Sequence, residues 1–269
     1  MRLNPLIGVL YAACLLLPLC PSLGADIGVE GVKYFSNHNA ALGEHLATLS
    51  YTFTICNGVW DKLNTGDPHN FYWGRTDCWE KDLRDVAQGG LDVYCADNVD
   101  LFFLATHGNN TGDSIYLAYD TPQEWWHSDS RKWKLGDSDL EWLALYACRT
   151  LPFSAIGSTS WPIFHGLHMI LGSHDSLWYG PTTDEVGRDF AQNLKDGDRV
   201  SDAWLDGLSD WWADQNALVL AAERYETYRG GSIDWNNTTM NRDHYHGRGY
   251  TCPDIPNSAV YYFTYSWIG

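Results

Sequence analysis

The sequence predicts an α/β fold: a mainly parallel sheet flanked by helices on both faces, with long loop excursions. Three observations support this class. Short, continuous apolar runs recur along the chain, helical patterns lie between several of them, and two polar stretches, residues 110–138 and 229–256, interrupt the alternation. Buried parallel strands are usually continuous apolar runs, and strands that alternate with helices are typical of α/β proteins.

The apolar runs give the expected strands, and helical periodicity gives the expected helices. Buried strands are expected at residues 99–106, 140–147, 167–172 and 217–221, and a more amphipathic strand at 259–265. Helices are expected at residues 41–49, at 184–194 and after a cap at Ser201. No repeat or Pro/Ser-rich linker divides residues 25–269. We therefore interpret residues 25–269 as a single domain.

The composition excludes a disordered chain and makes anionic partners unfavourable. Of the 269 residues 45% are hydrophobic, and 17 basic against 34 acidic residues give a formal net charge of −17. The resulting field repels nucleic acid and acidic membrane surfaces. We expect a peptide or small-molecule substrate, neutral or cationic, and neither a nucleic-acid partner nor a membrane partner for the mature chain.

Residues 1–24 have the pattern of a signal peptide. Arg2 precedes an apolar run from Leu6 to Leu19, and the small residues Ser22 and Gly24 suit cleavage before Ala25. The run is too short to span a bilayer comfortably. We therefore expect the protein to be secreted or to reside in the secretory-pathway lumen.

Cysteines and sequons fit that compartment. Five cysteines follow residue 24, and an odd number in an oxidising compartment leaves one thiol unpaired. Cys148 ends an apolar run, whereas the others lie in polar surroundings, so two disulfides are expected among Cys56, Cys78, Cys95 and Cys252, with the pairing open. N-glycosylation sequons occur at Asn109, Asn236 and Asn237.

Reactive residues follow two of the predicted buried strands. The first strand is followed by His107 and Gly108, and the second ends in Ala147 and Cys148. In open α/β sheets the site lies beyond the carboxyl ends of the strands, so neighbouring strands would bring His107 and Cys148 together. A thiol beside an imidazole is the minimal nucleophile–base pair, and the Gly108 amide could stabilise an oxyanion.

This arrangement resembles the clan CD cysteine peptidases, which include caspases, legumains and gingipains. The resemblance rests on an apolar strand followed by His107-Gly108, then a second apolar strand followed by Ala147-Cys148, 41 residues after His107. It covers roughly residues 95–225 and implies a caspase-like fold. It also implies that Cys148 is the nucleophile, that His107 is the general base, and that the amides of Gly108 and Cys148 are the oxyanion donors.

Other residues are weaker candidates for the same pocket, and neither a metal nor a cofactor is expected. His174 is a second-choice base, Asp175 could line the cleft or orient a base, and three tryptophans in predicted loops could line the pocket: Trp125, Trp126 and Trp178. His244 and His246 would point to the same side of a strand, but no acidic residue has a suitable spacing for zinc.

Three functions remain open at this point. The first is a cysteine-dependent hydrolase of the peptidase or amidase type. The second is a caspase-like fold repurposed for biosynthesis, guiding a cyclisation or transfer on a small molecule. The third is a non-catalytic protein that binds a glycan or another ligand through its loop tryptophans.

Overall fold

The computed structural model describes residues 25–110, 114–121, 124–154, 156, 161–181, 183–209, 216–229 and 232–268. The predicted signal peptide, residues 1–24, lies outside them. The strands are β1 (Ile27–Gly31), β2 (Phe71–Gly74), β3 (Leu101–Ala105), β4 (Gly108–Asn110), β5 (Ile115–Ala118), β6 (His127–Asp129), β7 (Trp142–Tyr146), β8 (Met169–Ser173), β9 (Ala217–Arg224), β10 (Tyr228–Arg229), β11 (Ser232–Ile233) and β12 (Val260–Trp267). The α-helices are α1 (Ser36–Leu42), α2 (Thr52–Leu63), α3 (Val186–Asp196), α4 (Val200–Leu208) and α5 (Thr239–Arg242).

A seven-stranded sheet forms the centre of the molecule, in the order β12-β9-β8-β7-β3-β1-β2. Strands β2, β1, β3, β7 and β8 pair in parallel, whereas β9 is antiparallel to both β8 and β12. The prediction of an α/β protein with a mainly parallel sheet is therefore confirmed. The five residues of β3 and the five of β7 are all buried, as their unbroken apolar sequences predicted.

The two faces of this sheet are covered differently. Helices α2, α3 and α4 pack on one face, where α3 contributes Val186, Phe190 and Leu194 at helical spacing. The other face is covered mainly by short 3-10 helices and by the small antiparallel sheet β4-β5-β6. The expected helices therefore cover the first face, whereas the second face is covered mainly by other elements.

The predicted helix at residues 41–49 is wrong. Helix α1 ends at Leu42, and Gly43 follows it with a left-handed φ of 69°. Glycine adopts this conformation without a steric penalty and commonly ends helices. Residues 44–49 therefore form a loop, and the chain becomes helical again only at Thr52.

The predicted disulfides among Cys56, Cys78, Cys95 and Cys252 are also corrected, because every described cysteine is a free thiol. Cys56 packs with the apolar residues on the α2 face of the sheet, and Cys78 packs on the opposite face. Polar sequence surroundings did not reveal this burial. Within the described part of the chain, no helix is long and apolar enough to cross a bilayer.

Candidate active site

The topology brings the two predicted catalytic residues to one edge of the sheet. Strands β3 and β7 are adjacent and parallel, with Ala105 paired to Tyr146. His107 and Cys148 each lie two residues beyond that pair, so both follow the carboxyl ends of neighbouring strands. Both line a pocket of about 510 Å³. The expected adjacency of these strands is confirmed.

The His107 imidazole is oriented by the loop that follows α1. Its Nε2 lies 2.8 Å from the Ala47 carbonyl oxygen. Because a carbonyl only accepts, Nε2 must carry the proton, and Nδ1 of the neutral ring keeps the lone pair. Burial lowers the pKa of His107 below its ordinary value, and the neighbouring His38 lowers it further. The imidazole is therefore neutral at neutral pH and able to accept a proton.

The Cys148 thiol is half-buried against the segment that follows β8. The backbone N–H of Leu177 donates to Sγ at 3.3 Å, which favours the thiolate. Burial is the larger effect and raises the pKa of Cys148. No direct hydrogen bond joins this thiol to His107 among the described residues, so the resting pair is a neutral thiol and a neutral imidazole.

Gly108 allows the two strand ends to approach closely. A Cβ atom at this position would lie 2.6 Å from the Cys148 carbonyl oxygen and 2.9 Å from the Ala147 Cβ. The Ala118 N–H donates to the His107 carbonyl at 2.9 Å. Gly108 and Leu117, the next pair in that ladder, are consequently a non-hydrogen-bonded pair. The Gly108 amide is thus not engaged by the β4-β5 ladder.

The remaining pocket walls come from the loop after α1, from β4, β5 and β6, and from the segments that follow β7 and β8. Besides His107, Gly108 and Cys148, the lining includes one acidic, one basic, one phenol and one imidazole side chain among eight residues: Glu44, Leu46, Asn109, Tyr116, Ala118, His127, Arg149 and Ser176. Asn109 is exposed, as are the two other sequon residues, Asn236 and Asn237. A glycan on Asn109 would stand at the pocket rim.

Asp175 and His174 lie beside the pocket and not against His107. The Asp175 carboxylate accepts from the Arg149 Nε at 3.0 Å and therefore holds that guanidinium at the rim. His174 Nε2 lies 3.2 Å from the Ile268 carbonyl oxygen, and its ring stacks on Phe153. Asp175 thus orients an arginine, and His174 faces the residue that follows the edge strand β12.

The three predicted pocket tryptophans have different positions. Trp125 and Trp126 line a neighbouring cavity of about 440 Å³, which shares Tyr116 and His127 with the active-site pocket. Trp178 is 58% exposed and is absent from the described lining of both cavities. The tryptophan pair therefore extends the pocket, and Trp178 lies on the surface nearby.

Sequence reasoning missed a histidine pair in this region. His38 is fully buried on α1, and its Nε2 lies 3.2 Å from the Nε2 of His127. Together with Glu44 these side chains offer three ligand atoms within 4.8 Å of one another, so they could hold a metal ion. His127 lies 89 residues after His38, so no local spacing signals the approach of the two imidazoles.

The comparisons with known proteins place this fold in a family. A model of the domain of unknown function DUF6345 matches residues 29–268. The chain belongs to the DUF6345 family. No curated protein matches it. The match includes the whole seven-stranded sheet except the first two residues of β1, and it includes both His107 and Cys148.

Proposed function

We propose that this DUF6345 domain is a cysteine-dependent hydrolase that cleaves amide bonds of peptides or related small molecules with a caspase-like arrangement of Cys148 and His107. The observation that carries the proposal is their shared position beyond adjacent parallel strands, in one pocket. Clefts at the carboxyl ends of such strands are the usual sites of α/β enzymes.

The proposed reaction begins with proton transfer. His107 Nδ1 accepts the Sγ proton as Cys148 attacks the substrate carbonyl carbon, and the Ala47 carbonyl supports the resulting imidazolium through Nε2. The tetrahedral intermediate then expels the amine, which takes the proton from His107, and leaves a thioester on Cys148. Water, deprotonated by the same imidazole, hydrolyses the thioester and restores the thiol.

Because both groups are neutral at rest, His107 acts as a general base during the attack and not as half of a preformed ion pair. In this proposal a side-chain rotation brings Nδ1 to the thiol, and catalytic hydrogen bonds are often formed only in the complex with substrate. The amides of Gly108 and Cys148 serve as the oxyanion donors in this proposal.

The pocket supports a cationic or neutral peptide as the substrate. Glu44 lines it with a side chain that is 44% exposed, and its Oε2 lies 3.9 Å from His38 Nδ1. Arg149 also lines it, but Asp175 compensates its charge. A basic substrate group would therefore meet an available carboxylate, in keeping with the overall charge of −17.

The test is labelling with peptidyl acyloxymethyl ketones that carry a basic, an acidic or an aromatic residue before the ketone. The wild-type protein should be labelled at Cys148, fastest by the basic reagent, as located by peptide mass spectrometry. Cys148→Ala should abolish labelling and His107→Ala should slow it. Cys252→Ala is the matched control, since Cys252 is equally half-buried and should be dispensable.

Two results would contradict the proposal. The first is labelling of a folded wild-type protein at a cysteine other than Cys148, or at none. The second is a labelling rate that is the same in His107→Ala. If Cys148→Ala retained activity on a small aromatic substrate, the repurposed biosynthetic use of the same cleft would be favoured, since Trp125 and Trp126 adjoin it. Secretion remains a prediction from residues 1–24.

A further inference from the structure

A second cluster of ionisable side chains lies at the opposite edge of the sheet. Asp26, Asp100 and Glu141 each directly precede one of the three adjacent strands β1, β3 and β7. Parallel strands start at the same edge, so these carboxylates form a row there, and the Asp26 N–H donates to the Asp100 carboxylate. This row shares no residue with the pocket of Cys148.

His246 reaches this row from the polar stretch after α5. Its Nε2 lies 2.9 Å from Asp100 Oδ1 and 3.4 Å from Glu141 Oε1. Its ring contacts the Trp142 ring with centroids 5.2 Å apart. The imidazole is therefore held with one nitrogen facing two carboxylates.

The other nitrogen of His246 fixes its tautomer. Thr251 Oγ1 lies 3.1 Å from the His244 carbonyl and 3.2 Å from His246 Nδ1. The hydroxyl has one proton, which goes to the carbonyl, so it must accept from Nδ1–H. With Nδ1–H directed at Thr251, the Nε2 atom between the two carboxylates holds either a proton or, in its place, a metal cation. Metal-binding histidines are commonly oriented by such a bond from the second nitrogen.

The distances suit a small divalent ion. With bonds of about 2.1 Å, two ligand atoms are about 3.0 Å apart at octahedral angles and about 3.4 Å apart at tetrahedral angles. The observed 2.9 Å and 3.4 Å span this range, and the shorter one is also the length of a hydrogen bond from a protonated imidazole. Asp100, Glu141 and His246 offer ligand atoms that all lie within 4.8 Å of one another.

Among the described residues, the carboxylates at this edge pair with imidazoles alone. Asp67 and His69 lie beside Asp26, and in the described ranges none of the row's carboxylates has a lysine or arginine ion-pair partner. The Asp26 side chain is only 10% exposed, and its Oδ1 has no hydrogen-bond partner. Glu141 Oε2 is likewise buried without one. Buried carboxylate oxygens without partners are costly, and a bound cation would relieve that cost.

We propose that Asp100, Glu141 and His246 bind one divalent transition-metal ion, of which zinc is the best match to a set of one imidazole and two carboxylates. The ion ties the segment that carries His246 to the beginnings of β3 and β7. Its role is structural, and it is independent of the reaction proposed at Cys148.

The experiment uses the folded wild-type chain stripped with a chelator and then titrated with zinc, calcium or magnesium by calorimetry. We expect one zinc ion per chain, weaker binding of calcium and magnesium, and a higher melting temperature with zinc. His246→Gln and Glu141→Gln should each weaken zinc binding by about 10-fold or more. His244→Gln is the matched control, because the His244 ring bonds the Arg242 carbonyl and should leave zinc binding unchanged.

Cobalt titration provides a spectroscopic readout of the same site. A change in the visible cobalt spectrum that saturates at one ion per chain, is reversed by zinc and is lost in His246→Gln supports the site. Absence of zinc or cobalt binding to the folded chain overturns it. Zinc binding that survives His246→Gln unchanged also overturns it, since the ion would then belong to another group, either Asp26, Asp67 and His69 or His38, Glu44 and His127.

Discussion

Replacing Gly108 with alanine tests the close approach of the two strand ends. The backbone of Gly108 has no positive φ, so alanine meets no conformational penalty there. Its Cβ, however, would lie 2.6 Å from the Cys148 carbonyl oxygen, and real Cβ contacts are essentially never shorter than 3.0 Å. The strand ends must therefore separate by at least 0.4 Å, the difference between these distances.

This displacement acts on both stability and reactivity. Overpacking of this kind typically costs about 1–3 kcal/mol of unfolding free energy. A displacement approaching 1 Å can cost about 100-fold in rate, so we expect Cys148 labelling by a peptidyl ketone to slow by roughly 10- to 100-fold. Thermal unfolding and labelling kinetics measure the two effects.

Asn109→Ala serves as the stability control, because Asn109 is exposed and adjacent to Gly108. Its melting temperature should stay close to that of the wild type. A Gly108→Ala protein with wild-type stability and wild-type labelling would refute the reasoning, because the backbones of residues 108 and 148 would then not be in contact.

Three further outcomes are expected. Because burial raises the pKa of Cys148, its alkylation by iodoacetamide should be slower at pH 7 than that of a free cysteine and should still rise above pH 9; a plateau below pH 8 would contradict this. The buried ion pair with Asp243 raises the pKa of His168 to about 9, above its ordinary 6.5. The pair should therefore add about 3 kcal/mol to the free energy of unfolding below pH 6.5, and this contribution should be lost by pH 9. The free energies of unfolding of the wild type and His168→Gln, measured with urea, should therefore converge as the pH rises. A difference between them that stays constant with pH would contradict the assignment. Alkylation of the unreduced, denatured chain from residue 25 onward should modify all five cysteines. If only one cysteine were modified, the two disulfides expected from the sequence would be supported instead.

The sequence predicted the part of the site that depends on local pattern. The apolar runs before His107 and Cys148 marked buried strands, and the general geometry of parallel sheets supplied their shared edge. To place His107 beside Cys148, only the adjacency of β3 and β7 had to be assumed. The mainly parallel sheet followed from the same patterns.

Other parts of the site depend on contacts that no local pattern encodes. The carbonyl of Ala47 orients His107, but every residue has a carbonyl, so the sequence does not single this one out. Ala47 is available because α1 ends before Gly43 and residues 44–49 form a loop. His246 meets Asp100 and Glu141 from more than 100 residues away. Whether two cysteines can form a disulfide likewise depends on which face of the sheet each one occupies.

The most direct test of the proposed hydrolase is to trap its acyl intermediate. The wild-type protein would be mixed with an activated ester of a basic amino acid, quenched in acid and analysed by mass spectrometry. We expect a thioester on Cys148 that forms and decays with turnover, and that forms more slowly in His107→Ala. Turnover that persists in Cys148→Ala, or an acyl group carried by any other residue, would show that this sulfur is not the nucleophile.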